Sequence, residues 1–170
     1  MSLPRKLKNM NTFGNGESFL GQVTEVKLPV LTRKMEGYRG GGMSGEVDID
    51  FGYEKLECEH KYGGLMRAIL NDFGITRHDG AMLRWVGAYQ REDTGEVESV
   101  EVVMRGRHKE IDMGNAKTGD DTEFTVKSTL SYYKLSIAGA VVIELDPVNM
   151  IEMVNGVDRL SDIRRAIGLA

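Results

Sequence analysis

From Val97 to Met113 the chain reads V-E-S-V-E-V-V-M-R-G-R-H-K-E-I-D-M, and apolar and polar positions alternate through most of it. Val100, Val102 and Met104 fall on one face, continued by Gly106, His108, Glu110 and Asp112. Ser99, Glu101, Val103, Arg105, Arg107, Lys109 and Ile111 fall on the other. A period of two predicts one very long strand. At roughly 3.3 Å per residue it reaches about 50 Å, whereas ordinary strands run about five to six residues. A domain of this size cannot cover such a strand on both faces. Either a bulge near Gly106 breaks it, or its charged far half finds partners outside the domain.

The same period recurs along the chain. Met10 to Phe13 reads as a short strand, and Gly14-Asn15-Gly16 as a hairpin turn, because Asn and Gly tolerate positive φ. Ser18 to Leu31 is expected to be extended, with a bend near Gly21, since Val23 and Val26 are out of step; Pro29 withholds a ladder donor and belongs at an edge or an end. From Arg33 to Gly45 the pattern dissolves into R-K-M-E-G-Y-R-G-G-G-M-S-G, which predicts a mobile glycine-rich loop displaying Tyr38, Arg39 and Met43. Alternation resumes over Glu46–Tyr62, with Val47, Ile49 and Phe51 opposite Asp48 and Asp50 and a break at Gly52. Leu65, Ile69 and Phe73 are spaced as a short helix stopped by Gly74. Ala81–Gln90, carrying Leu83, Trp85 and Tyr89 on one face, turns at Asp93-Thr94-Gly95 into the long strand. Phe124–Ile137, with Phe124, Val126, Leu130 and Tyr132 on one face, turns at Ala138-Gly139-Ala140 into Val141–Leu145. Asn155-Gly156 is a further turn, and Leu160, Ile163 and Ile167 mark a closing amphipathic helix. Seven or eight strands joined mostly by tight turns predict a single mainly-β domain over residues 1–170, an antiparallel β-sandwich or barrel with one or two short helices.

Composition changes this picture little. The 170 residues hold a sizeable core, and 41% of them are hydrophobic. The formal net charge of −4 argues against tight binding to nucleic acid phosphates, but not against a passive channel through which nucleic acid slides. The single cysteine, Cys58, excludes an internal disulfide and reads as a small core residue. The basic N-terminus lacks the apolar run of a signal peptide, and no stretch approaches the ~18 apolar residues of a membrane span, so a cytosolic site of synthesis is expected.

Candidate chemistry is sparse. His108, Glu110 and Asp112 place three metal-ligand types on one strand face, but successive i, i+2 positions stand about 7 Å apart and cannot all reach one ion without a bend. Asp48 and Asp50 have no nucleophile or histidine near them in sequence, and a solvated strand face is the simpler reading. Asn115-Ala116-Lys117-Thr118 resembles a phosphate loop only faintly, lacking the glycine and the helix. The glycines of 37–45 lack the strand–loop–helix setting of a phosphate cradle. Arg105, Arg107 and Lys109 form a basic row, either a solvated edge or one that pairs with an acidic row on a neighbouring subunit. An assembly protein fits these features better than an enzyme.

Five stretches carry a family resemblance. They are L-P-V-L-T-R-K-M-E-G-Y-R-G-G-G-M (28–43), Y-Q-R-E-D-T-G-E (89–96), E-V-V-M-R-G-R-H-K-E-I-D (101–112), S-Y-Y-K-L (131–135) and N-M-I-E-M-V-N-G-V-D-R-L (149–160). Together, and in this order, they resemble the major tail tube protein of contractile-tailed phages and the tube subunit of R-type bacteriocins. Val30 departs from the lysine more usual in that family. The resemblance implies a non-enzymatic subunit without cofactor or metal. Its homohexameric rings would stack into a hollow tube inside a contractile sheath, with strands of adjacent subunits joined into one barrel. The implied partners are further copies of the chain, sheath, tape measure and baseplate proteins, and DNA passing without specific binding; the implied location is the virion tail. On this reading Tyr38, Arg39, Gly40, Gly41, Gly42 and Met43 contact the adjacent ring. Arg105, Arg107, Lys109, Glu110 and Asp112 contact neighbours within the ring, and Glu96, Glu98 and Glu101 face the lumen. The alternatives are a type VI secretion tube-like ring protein and a small ligand-binding β-barrel.

Overall fold

Three tight turns set the register of the sheet. Asn15-Gly16, Ala138-Gly139 and Asn155-Gly156 each have positive φ at both positions, the type I′ geometry whose twist matches the strands it joins. The computed structural model describes residues 1–169. Among them, the chain runs β1 (Arg5–Gly14), β2 (Glu17–Ser18), β3 (Val23–Lys27), β4 (Arg33–Tyr38), β5 (Val47–Tyr53), β6 (Leu56–Tyr62), α1 (Arg67–Asn71), β7 (Ala81–Arg91), β8 (Val97–Asp112), β9 (Phe124–Ile137), β10 (Ala140–Asp146), β11 (Ile151–Val154), β12 (Val157–Asp158) and α2 (Ser161–Ala166). Ten strands form one antiparallel sheet, eight of them in the order β12-β11-β10-β9-β8-β7-β1-β2 and two, β6 and β3, branching from it, and β4 with β5 forms a separate two-stranded arm.

The main sheet branches at β9. Its residues 133–137 pair with β10, and its residues 124–130 pair with β6, which carries β3 outside it. The branch lets β6 fold over the sheet face. Leu56 and Cys58 of β6 then meet Leu83, Trp85, Val102, Met104, Tyr133 and Leu145 in one core, with Met10 packed against it. A second core gathers Phe19, Tyr62, Met66, Ile69, Phe124 and Val126 under α1, with Ile111 beside it. The architecture is the mainly-β antiparallel one expected, with two short helices.

β8 is a continuous strand of 16 residues, and the irregularities lie in its pairing with β9. Between Arg105 and Gly106 the extra residue sits on β9, at Ser131; between His108 and Glu110 it sits on β8, at Lys109. Each slip moves every later side chain to the other face. On β9 it makes Tyr133 the buried residue, not Tyr132. On β8 it turns Ile111 towards the second core and leaves Glu110 and Asp112 exposed. His108, Glu110 and Asp112 therefore do not share a face. The charged half of β8 pairs with β9 along one edge as far as Asp112, whereas on its other edge the pairing with β7 ends at Gly106.

Other expectations shift with the tertiary packing. β1 begins at Arg5, well before Met10, because β7 offers a full-length partner. The stretch from Ser18 to Leu31 is broken at residues 19–22, where Gly21 has φ +82°, and after Ser18 of β2 only Val23–Lys27 is strand. Arg33–Tyr38 is a strand, not loop, because β5 pairs with it; only residues 39–46 connect the two. α1 buries Ile69, with Met66 just before it, while Leu65 and Phe73 point outward. α2 buries no side chain, so Ile163 and Ile167 stand exposed.

A candidate assembly surface

The arm has two faces of different character. Tyr38, Val47, Ile49 and Phe51 share one, and Arg33, Met35, Asp48 and Asp50 the other, as the register Tyr38↔Val47, Glu36↔Ile49 and Met35↔Asp50 dictates. No core covers either face: Tyr38, Val47, Ile49 and Phe51 are all exposed. A two-stranded ribbon is marginal alone in water. Here it is held at its base by Arg33, which donates to Asp50 at 2.8 Å and pairs with the buried carboxylate of Glu152 on β11. The Gly52 N–H and then the Arg33 guanidinium hold the Asp50 carboxyl below the usual carboxylate range. Asp48 and Asp50 are thus a strand face with one member engaged in fixing the arm.

At the tip, the Gly40 N–H points at Met43 Sδ (3.1 Å) and Arg39 Nε donates to the Met43 carbonyl (3.2 Å). Met43 therefore organises the turn. At the base, Phe51 forms with Val154, Leu160 and Ile163 the apolar wall of a recess of about 620 Å³. The apolar face of the arm thus continues into the uncovered face of α2. Exposed apolar patches of this extent mark interaction sites. Glycine spacing hid β4, the first strand of the arm, in the sequence, whereas the exposure of α2 had no sequence signal: its apolar spacing is that of a helix meant to be buried.

The basic row on β8 is exposed as expected, and its members differ. Arg105 stacks over the Tyr132 ring at 5.3 Å, and Lys109 approaches Glu57 at 3.4 Å. Glu110 meets Lys127 at 3.5 Å. Among the described residues, Arg107 and Asp112 make no ion pair. The three acidic residues expected in the lumen do not share a face. Glu101 lies on the outer face of the sheet, at 2.9 Å from Arg84; Glu98 lies on the opposite face, paired with Arg5; Glu96 sits in the turn before β8. The outer face around Glu101 carries Asn11, Val86 and Ser136 in one row, and Phe13, Arg84, Val103, Lys134 and Glu144 in the next.

A polar cluster lies under α1. His60, fully buried, holds the Tyr62 hydroxyl on Nδ1 (2.7 Å) and the Ser128 hydroxyl on Nε2 (3.0 Å), and His108 Nδ1 reaches the same serine at 2.9 Å. Burial drives the His60 pKa down to about 3 and lowers that of His108, so both are neutral at pH 7. Burial likewise pushes the Cys58 thiol up to about 12, which makes it unreactive. These groups are structural and carry a pH prediction. Between pH 6.5 and about 3 the unfolded chain binds a proton at residue 60 that the folded chain refuses. Stability should therefore fall on acidification through that window, by about 1.4 kcal/mol per pH unit from this group. His60→Gln should flatten the slope in denaturant titrations at pH 4 to 6, and an unchanged slope would assign the acid lability to other groups.

Residues 4–168 match the phage tail tube protein FII family. The chain belongs to that family. It is 48% identical over 172 residues to the tail tube protein of Escherichia phage P2, covering 99% of this chain and 100% of that one. It is 37% identical to the major tail tube protein of Serratia phage KSP20, covering 99% of each. Among solved structures, the fold is similar to the sheath/tube terminator of an extracellular contractile injection system (TM-score 0.59, 8% identity, 78% of this chain and 96% of that chain). It is also similar to the sheath–tube complex of the same system (TM-score 0.56, 8% identity, 78% and 91%). The protein is a structural tail tube subunit and a component of the virion tail.

Proposed function

We propose that copies of this chain form sixfold rings that stack into a hollow tube within a contractile sheath, and that the tube is the conduit through which DNA leaves the virion. The observation that carries this reading is the uncovered apolar surface running from Tyr38 along the arm to Phe51 and Ile163. A ring of identical subunits joined head to tail closes its sheet edges, and stacking of such rings buries the arm's surface on every copy. The arm, with Tyr38, Arg39 and the turn at Gly40, Gly41, Gly42 and Met43, docks on the adjacent ring. Sheath, tape measure and baseplate proteins are its further partners, and it has no catalytic role. Negative-stain microscopy of concentrated protein tests the reading: rings or tubes are expected, and a permanent monomer would refute it.

The conduit follows from the outer sheet face. Arg84 is neutralised by Glu101, and Lys134 stands beside Glu144. A lumen lined by this face offers phosphates no continuous basic track, so DNA slides without sticking. The lumen residue is then Glu101, and Glu98 faces away from the channel.

Within the ring, Arg105, Arg107 and Lys109, with Glu110 and Asp112, help adjacent subunits meet. One exposed pair contributes only about 0–1 kcal/mol, so single substitutions should do little. Reversing Arg105, Arg107 and Lys109 to Glu together should leave the circular dichroism spectrum unchanged and prevent rings. Normal assembly of that variant would make the row a solvated face.

A further inference from the structure

The outer edge of β1 is open. β7 pairs with the inner edge along the whole strand, but β2 covers only Phe13 and Gly14 on the other side. The Thr12 carbonyl takes the Phe19 N–H, which leaves Arg5–Asn11 without a strand neighbour. The edge is guarded. Asn9 Oδ1 accepts the Met10 N–H at 2.9 Å, and Asn11 Oδ1 accepts the Thr12 N–H at 2.8 Å, so side chains occupy donors that a partner strand would use. Lys6 is exposed, Lys8 forms a bulge and Pro4 precedes the strand. All are devices that keep an edge from pairing indiscriminately. Two local hydrogen bonds from neutral amides are easily exchanged for ladder bonds.

A second open edge lies on the arm. β5 pairs only with β4, so its far side is free, and its 7 residues match the open length of β1. The charges oppose. No acidic residue precedes Glu17, and the β1 edge carries Arg5, Lys6 and Lys8; no basic residue lies between Arg39 and Lys55, and β5 with its flank carries Glu46, Asp48 and Asp50. The apolar patterns also match. Leu7 and Met10 lie on the core-side face of β1, and Val47, Ile49 and Phe51 on one face of β5. Within one chain the two edges do not pair.

We propose that β5 of one copy adds as a strand to the outer edge of β1 of a second copy, displacing the Asn9 and Asn11 side chains from their guarding positions. The inference rests on the tube reading and gives the arm a specific seat. Its apolar face then extends the second copy's core-side surface beside Leu7, and Asp48 meets Lys6. Main-chain bonds supply the attachment, and the opposed charges supply the choice of strand.

The experiment is a charge exchange in the full chain. Lys6→Glu with Lys8→Glu should abolish tubes, as should Glu46→Lys with Asp48→Lys. All these side chains are exposed, and circular dichroism checks that each variant folds. The four changes combined should restore tubes, since the edges again carry opposite charge. Hydrogen exchange on unaltered tubes gives a second readout: amides of residues 6–12 and 47–51 should both be slower than in dissociated subunits. Failure of rescue with folded variants overturns the pairing, and so does protection of β1 without β5, which would put another strand on that edge. In either case tubes of the unaltered protein leave the tube reading standing. Absence of tubes from the unaltered protein overturns that reading and this inference together.

Discussion

Tyr38→Ala with Arg39→Ala, and separately Ile49→Asp with Phe51→Asp, should yield folded subunits that no longer form tubes. Of the arm, Tyr53 at its base packs against the Trp85 core, but Tyr38, Arg39, Ile49 and Phe51 belong to neither core, so changing them leaves the packing around Trp85 and around Phe19 intact. Each subunit of a tube repeats the same contact, and a deficit that is modest per copy multiplies along the assembly. Aromatic and arginine anchors at interfaces cost about 2 kcal/mol or more when truncated and buried. A carboxylate placed in an apolar contact costs more, because it must be desolvated without a partner. Circular dichroism and denaturant midpoints measured beside negative-stain microscopy separate the outcomes. Full-length tubes from both variants would remove the arm from the assembly, and a lowered midpoint would make it part of the fold.

Gly106→Val should prevent folding or leave a strongly destabilised chain. At this position the extra residue on β9 brings that strand's backbone against β8. A Cβ on residue 106 would overlap the Thr129 carbonyl oxygen and stand 2.8 Å from the Leu130 Cα. The obstacle is backbone, so no side-chain rotation relieves it. Overpacking of a well-filled core costs about 1–3 kcal/mol and occasionally more. Here the whole β8–β9 pairing would have to slip, which would also misplace Tyr133 and Ile111. Soluble yield and the urea midpoint measure the effect, and Gly106→Ala should fall between the two. A Gly106→Val protein with an unchanged midpoint would show that the ladder is less tightly closed than the geometry requires.

The sequence by itself determined the strand pattern, the turns and the family. Val100, Val102 and Met104 alternate with polar residues, and Leu83 and Trp85 do the same, because a sheet buried on one face demands a period of two. Asn15-Gly16 and Asn155-Gly156 announce their turns through local backbone chemistry. The amphipathic pattern of β5, with Val47, Ile49 and Phe51 opposite Asp48 and Asp50, was legible in the same way, as was the exposed row of Arg105, Arg107 and Lys109. What those faces met was not legible. Bulges at Ser131 and Lys109 leave no local signal, since an extra residue is defined only against a partner strand; they decided that Tyr133 and Ile111 go inward and that Glu110 and Asp112 go out. Pairing with β5 made a strand of Arg33–Tyr38 despite its glycine, because ladder bonds outweigh weak local propensity. The exposure of α2 and of the arm was likewise beyond the pattern. An apolar stripe states that a surface must be covered, and only the tertiary structure shows that this chain does not cover it itself.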